Sequence, residues 1–232
     1  MAARLASRPV QRDAPPTMGY AFADRAEAGR ALGAALVPLA LPDPVVLALP
    51  RGGVPVGMAV AQALHAPLDL LLVRKIGAAF EPELAVAAVV DAVDDDLVFD
   101  RALMAEAGMS EAEVRERAQV QRAEIARRRA LYLGGRARVP LAGRTVIVVD
   151  DGIATGTTVR AALKGLRRSG AAALVLAVPV APADTLARLR GDVDRVVCLA
   201  VPSPFRAVGL HYRDFRQVED DEVVAALAAA RA

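Results

Sequence analysis

Short runs dominated by apolar residues recur along this chain, each stopped by a turn, and helical patterns lie between them. Residues 45–49 (VVLAL), 68–73 (LDLLLV), 145–149 (TVIVV), 173–180 (ALVLAVPV) and 193–200 are the clearest. A strand with one face in water alternates apolar and polar side chains. A strand buried on both faces does not, and such strands belong to parallel sheets covered by helices on either side. The intervening segments supply the helices. Residues 24–37 repeat apolar and small side chains at helical spacing, with Asp24 placed to cap the start, and 54–64, 158–168 and 183–189 follow suit. Residues 83–91 and 95–99 read as further strands. The pattern predicts an α/β fold with a doubly wound parallel sheet, in which ligands bind beyond the strand carboxyl ends. Three loops fall there: 50–53 (PRGG), 74–83, and 150–158.

Residues 100–138 differ in character. Ser110 and Glu113 form a capping box, and the helix they start is rich in Glu and Arg as far as Tyr132. Val114, Ala118, Ile125 and Tyr132 make only a thin apolar stripe. That predicts an inserted helix lying over the surface, serving as a lid, a partner contact or simply a solvated face. Residues 1–18 mix Arg, Ala and Pro with no apolar core of a secretory signal, and are expected to form a disordered leader ahead of one domain over 19–232. The longest apolar run, 171–183, contains Pro179 and Pro182 and is shorter than the ~20 residues of a membrane span. A cytoplasmic protein is expected.

Several chemistries are excluded by what is scarce. Cys198 is the single cysteine and sits in an apolar run, so a buried structural thiol is expected, with no disulfide framework. The two histidines, His65 and His211, lack zinc-ligand spacing. The net charge of +2 comes from Arg interspersed with acidic residues, without the one-sided clustering that nucleic-acid binding requires.

Residues 145–158, TVIVVDDGIATGTT, carry the chemistry. The apolar strand delivers two adjacent carboxylates, Asp150 and Asp151, to the sheet edge. Gly152 and Gly156 let the backbone turn, and Thr155, Thr157 and Thr158 line the start of a helix. A glycine and threonine loop at a helix N-terminus offers N–H groups and hydroxyls to a phosphate. Two carboxylates would repel that phosphate, so they must serve another part of the ligand: hydroxyls or a metal ion. A sugar phosphate with a vicinal diol satisfies both halves. Neither G-x-x-x-x-G-K-[ST] nor G-x-G-x-x-G occurs, which sets aside a P-loop and a dinucleotide fingerprint.

DDGIATGTT after an apolar strand resembles the phosphoribosyl-pyrophosphate motif of type I phosphoribosyltransferases. Pro50-Arg51-Gly52-Gly53 is similar to that family's pyrophosphate loop, and Val73-Arg74-Lys75 to its next strand. The chain looks most like a group of bacterial phosphoribosyltransferases whose acceptor their sequences do not reveal. The resemblance implies that Thr155, Gly156, Thr157 and Thr158 hold the 5-phosphate of 5-phosphoribosyl-1-pyrophosphate (PRPP). It implies that Asp150 and Asp151 bind the ribose hydroxyls directly or through magnesium. Arg51, Gly52 and Lys75 then hold the pyrophosphate, and Gly53, Gly152 and Ala154 are expected to line the substrate as well. Arg74 reads equally as a surface charge. The family's cis peptide in the pyrophosphate loop is expected here at Arg51–Gly52, and residues 76–83 are the candidate closing loop.

Relatives acting on 6-oxopurines carry an acidic residue where this chain has Ala154, so the acceptor needs no such base or Glu81 or Glu83 serves. A small C-terminal hood is expected over 202–218, where Phe205, His211, Tyr212 and Phe215 gather; a flat acceptor could stack on Phe205. The resemblance implies a magnesium-dependent transferase, and by family analogy a homodimer. The same fold could instead serve as a nucleotide-sensing regulator, for which the Arg-rich helix 111–129 is the one support, or as a hydrolase or phosphorylase.

Overall fold

The computed structural model describes residues 20–78, 80–81, 85–92 and 97–230. The expected leader over 1–18, and parts of the candidate closing loop and of the strands expected over 83–91 and 95–99, lie outside the described residues. Five strands, β1 (Pro44–Ala48), β2 (Leu68–Leu70), β6 (Thr145–Val149), β7 (Ala173–Val180) and β8 (Arg195–Ala200), form one parallel sheet in the order β2-β1-β6-β7-β8. Helices α1 (Arg25–Leu36) and α2 (Gly53–Leu64) contribute to the core with one set of strand side chains, and α5 (Thr157–Leu166) and α6 (Ala183–Leu189) to the core with the other. Strand β6 shows why its run is wholly apolar. Ile147 and Val149 enter the first core while Val146 and Val148 enter the second, and all four are fully buried.

Helices α1 and α2 approach closely because glycine faces alanine between them: a Cβ on Gly33 would lie 2.7 Å from that of Ala63. Strands β3 (Val73–Gly77), β4 (Ala85–Val90) and β5 (Leu97–Phe99) form a separate antiparallel sheet. This corrects the reading of 68–73 as one strand. The Leu71 amide still bonds to Ala48 of the parallel sheet, whereas the Leu72 carbonyl already accepts from Asp91 at the end of β4. The chain changes sheets there without leaving the interior, so Leu70, Leu71 and Leu72 are all buried and the apolar run conceals the break.

The insertion holds two helices, α3 (Arg101–Glu106) and α4 (Glu111–Leu133), with the capping box at Ser110 and Glu113 as expected. The thin stripe is real: Val114, Ala118, Ile125 and Tyr132 are buried in the same core as β3, β4 and α2. Arg129 anchors the helix by reaching Asp91 at 2.9 Å and Asp69 at 3.3 Å, and Arg138 also pairs with Asp91. Helix α7 (Asp220–Ala229), which follows the hood, packs on α4 and α2. Cys198 is buried, and burial pushes its thiol up to about 11, as befits an inert side chain. No described helix is long and apolar enough to cross a membrane.

Candidate functional site

Strand β6 ends at Val149, and the loop from Asp150 runs into α5 with Gly156 as N-cap at φ +77°. Gly156 is buried beneath α6, where a Cβ would meet the Thr185 methyl at 2.7 Å, while Thr155, Thr157 and Thr158 stay exposed. Thr185 braces the loop by donating to the Ala154 carbonyl at 2.8 Å. The start of α5 is thus held from below with its hydroxyls open above. Beside it lies a cleft of about 250 Å³ between α5 and the antiparallel sheet. Lys75 reaches this cleft from β3, and Arg160, Lys164 and Arg188 join it from the helices. Arg160 and Arg188 are paired with Asp192 and Asp184, and Asp100 also lines the cleft, which leaves Lys75, Lys164 and the helix N-terminus to suit this end of the site to an anion.

The two carboxylates are held differently. Asp150 Oδ1 accepts the Asp151 amide at 2.9 Å. Asp151 Oδ2 accepts from Arg25 Nε at 2.7 Å, and its backbone carbonyl accepts from the Tyr212 hydroxyl at 2.5 Å. Among the described residues, Asp150 Oδ2 and Asp151 Oδ1 accept no hydrogen bond. Burial and the neighbouring Asp151 charge push Asp150 well above the ordinary carboxylate range. Burial also raises Asp151, with Arg25 pulling the other way. An enclosed pair of this kind is short of positive charge or hydroxyl donors.

The loop after β1 abuts this pair. Gly52 lies so close to Asp151 that a Cβ would fall 2.0 Å from Oδ2, and one on Gly53 would lie 2.9 Å from the Val149 carbonyl. The cis peptide of this loop is Pro50–Arg51, one bond earlier than the sequence reading placed it. Arg51 extends toward the start of α7, 3.6 Å from both Glu219 and Asp220. Asp220 also accepts from Tyr132 of α4 at 2.6 Å; burial first, and then this bond, pushes the phenol up to about 12. Arg74 turns to Glu124 of α4 at 3.6 Å. The structure therefore gathers Asp150, Asp151, Gly52, Gly53 and Gly152 into one unit and sets Lys75 beside Thr155–Thr157. Arg51 and Arg74 face acidic side chains of the helices.

The hood closes over the pair. A Cβ on Gly152 would strike Val208 at 2.5 Å. Phe205 is half-buried and stacks on His211 at 5.3 Å; Tyr212 stacks on Phe215 at 5.1 Å. Burial keeps the His211 ring below its usual pKa, and its buried Nε2 has no hydrogen-bond partner. Two residues at this site, Arg25 and Tyr212, escaped a role in the sequence reading. Arg25 stands 126 positions from the carboxylate it meets, and nothing local marks it. The aromatic concentration did mark Tyr212, without showing that its hydroxyl reaches the motif.

Residues 39–214 match the family model of the phosphoribosyl transferase domain. The chain belongs to that family. It is 49% identical over 210 residues to two Mycobacterium tuberculosis proteins, from strains CDC 1551 and H37Rv, provisionally named phosphoribosyl transferases. Each alignment covers 89% of this chain but 46% of the relative, so the chain spans about half the length of those proteins. The crystal structure of TT1426 from Thermus thermophilus has 41% identity and a TM-score of 0.80, covering 90% of this chain and 98% of that one. The parallel sheet with the motif at a strand end is thus the architecture of a phosphoribosyl transferase domain.

Proposed function

We propose that this protein transfers the 5-phosphoribosyl group of PRPP to an acceptor and releases pyrophosphate. The observation that carries the reading is the pairing of two unlike environments across one loop. At one end a partly buried carboxylate pair keeps one oxygen of each side chain free of protein donors; at the other, hydroxyls and cations surround a helix N-terminus. Few ligands other than a phosphorylated sugar with adjacent hydroxyls need both within one loop.

Thr155, Thr157 and Thr158, with the N–H groups at the start of α5, would hold the 5-phosphate. Asp150 and Asp151 would receive the ribose hydroxyls. In the reaction the bond from C1 to the pyrophosphate oxygen breaks, a bond from C1 to the acceptor forms, and the acceptor gives up its proton. Negative charge grows on the leaving group, which Lys75 would meet from the cleft; Arg51 would do so after turning from Glu219 and Asp220.

The donor set suits magnesium, which prefers oxygen ligands and keeps several waters. Among the described residues no group of three or more His, Cys, Asp or Glu could hold a metal ion, so the free oxygens of Asp150 and Asp151 would share such an ion with the ligand. When bound, the ion neutralises pyrophosphate charge. On the acceptor side, half-buried Phe205 would offer a ring face to a flat molecule, with His211 stacked behind it.

Calorimetric titration of PRPP with magnesium tests the reading. Micromolar binding by the wild type, lost in Asp150→Asn/Asp151→Asn, is expected. No wild-type binding at millimolar ligand would overturn it, and release of free ribose 5-phosphate without an acceptor would replace transfer with hydrolysis.

A further inference from the structure

Resting on the phosphoribosyl reading, we infer that Arg25 is a positioning residue of the site: it fixes Asp151 so that one carboxylate oxygen remains for the ligand, and it ties that carboxylate to the hood. Arg25 is the first residue of α1, a rigid place to start, because Asp24 caps the helix by accepting the Glu27 amide at 2.7 Å. Its guanidinium makes three contacts at once. Nε donates to Asp151 Oδ2 at 2.7 Å, Nη1 donates to the Arg216 carbonyl at 2.8 Å, and the central carbon lies 3.9 Å from the centre of the Phe215 ring. Both side chains of the ion pair are largely enclosed, at 11% and 14% exposure.

The other side of Asp151 Oδ2 is closed by Gly52, whose missing Cβ is the space this oxygen fills. Oδ2 is thus wedged between a backbone and a guanidinium, and it cannot serve a ligand without leaving both. Oδ1 is the oxygen left over, as Oδ2 is in Asp150. One free oxygen from each residue is the number that two ribose hydroxyls, or one ion bridging to them, can use.

Arg25 does not act alone. Residues 22–25 and the hood form one unit: Phe22 donates to the His211 carbonyl, and Arg213 and Asp214 donate back to Phe22 and Ala23. From that unit Tyr212 holds the Asp151 backbone while Arg25 holds its side chain. The carboxylate therefore takes its position from the segment proposed to cover the acceptor. A lysine would keep the charge, but its single ammonium cannot span Asp151, the Arg216 carbonyl and the Phe215 face together.

The test is calorimetric titration of PRPP with magnesium against wild type, Arg25→Gln, Arg25→Lys, Asp151→Asn and the Arg25→Gln/Asp151→Asn double variant, each first melted to establish folding. Arg25→Gln is expected to weaken binding roughly tenfold to a hundredfold, the range for a hydrogen bond between charged groups. Arg25→Lys should recover part of that loss. Because Arg25 acts through Asp151, the double variant should bind no worse than Asp151→Asn alone. Wild-type affinity in Arg25→Gln, or losses that multiply in the double variant, would overturn the inference while leaving the phosphoribosyl reading intact. If Arg25→Gln does not fold, Arg25→Lys decides: weaker binding at an unchanged melting temperature supports the role, and wild-type binding overturns it. Absence of binding in the wild type removes the phosphoribosyl reading and this inference together.

Discussion

Two pairs of acidic side chains are enclosed by this fold, and the fold treats them in opposite ways. Asp69 and Asp91 lie where the chain passes between the two sheets, at 3% and 1% side-chain exposure. Arg129 bridges them and Arg138 adds a second cation at Asp91. The amides of Leu70 and Val139 supply further donors to Asp69. Asp150 and Asp151 have one arginine and one amide between their two carboxylates. Both pairs bear the cost of desolvation, and burial still raises Asp91 against its two arginines, but the first pair has more donors from within the chain. A partly buried carboxylate pair with few donors of its own is a candidate site for a ligand.

The sharpest break of this contrast removes the compensation. Arg129→Met leaves Asp69 with only backbone donors and Asp91 with Arg138 alone, and should destabilise the protein by about 3–5 kcal/mol. Chemical denaturation would show it, with PRPP affinity preserved wherever the variant is still folded. Gly52→Ala acts on the other pair. Its Cβ must displace Asp151 Oδ2, so overpacking of about 1–3 kcal/mol is expected, together with loss of PRPP binding in the same calorimeter. Were binding to survive, Asp151 would have no fixed place in the site.

Neutralising a member of each pair should move stability in opposite directions. Asp150→Asn relieves a carboxylate raised by burial and by Asp151, and should stabilise the ligand-free protein by about 1 kcal/mol at neutral pH while abolishing ligand binding. Asp91→Asn should destabilise, because it removes the partner of two arginines. The pH dependence of the first follows from sign. A carboxyl with a raised folded pKa binds more protons folded than unfolded, so its contribution is present below the unfolded value near pH ~4 and is lost as pH rises toward the folded one. Melting curves of the wild type across that window should carry this component, and those of Asp150→Asn should carry less of it, the raised Asp151 and Asp91 remaining. The smallest effect belongs to Tyr132→Phe. It frees Asp220 from one hydrogen bond, costs about 1 kcal/mol, and lets Arg51 pair with Asp220 unopposed.

What the sequence disclosed follows the same division. The segment 145–149 and the helix after it were legible almost to the residue, because strand, glycine turn and helix start are local signals. The capping box at Ser110 and Glu113 was legible for the same reason. The change of sheet at Leu71 and Leu72 was not, since a strand buried in either sheet has the same apolar composition. Helix α7 was overlooked although Glu219 and Glu222 form a capping box and acidic residues fill its first turn; its alanine-rich body gives a weak stripe. Arg25 lies beyond the reach of any local pattern. The sequence displayed the chemistry of the site, and the structure supplied what holds it in place.

The union of residues 22–25 with the hood bears on how the protein is made. The motif at 150–158 leaves the ribosome some fifty residues ahead of Tyr212 and Arg216. Until those residues emerge, Asp151 has neither its phenol nor the carbonyl that steadies Arg25. A growing chain can thus complete its parallel sheet before the proposed ligand site is assembled.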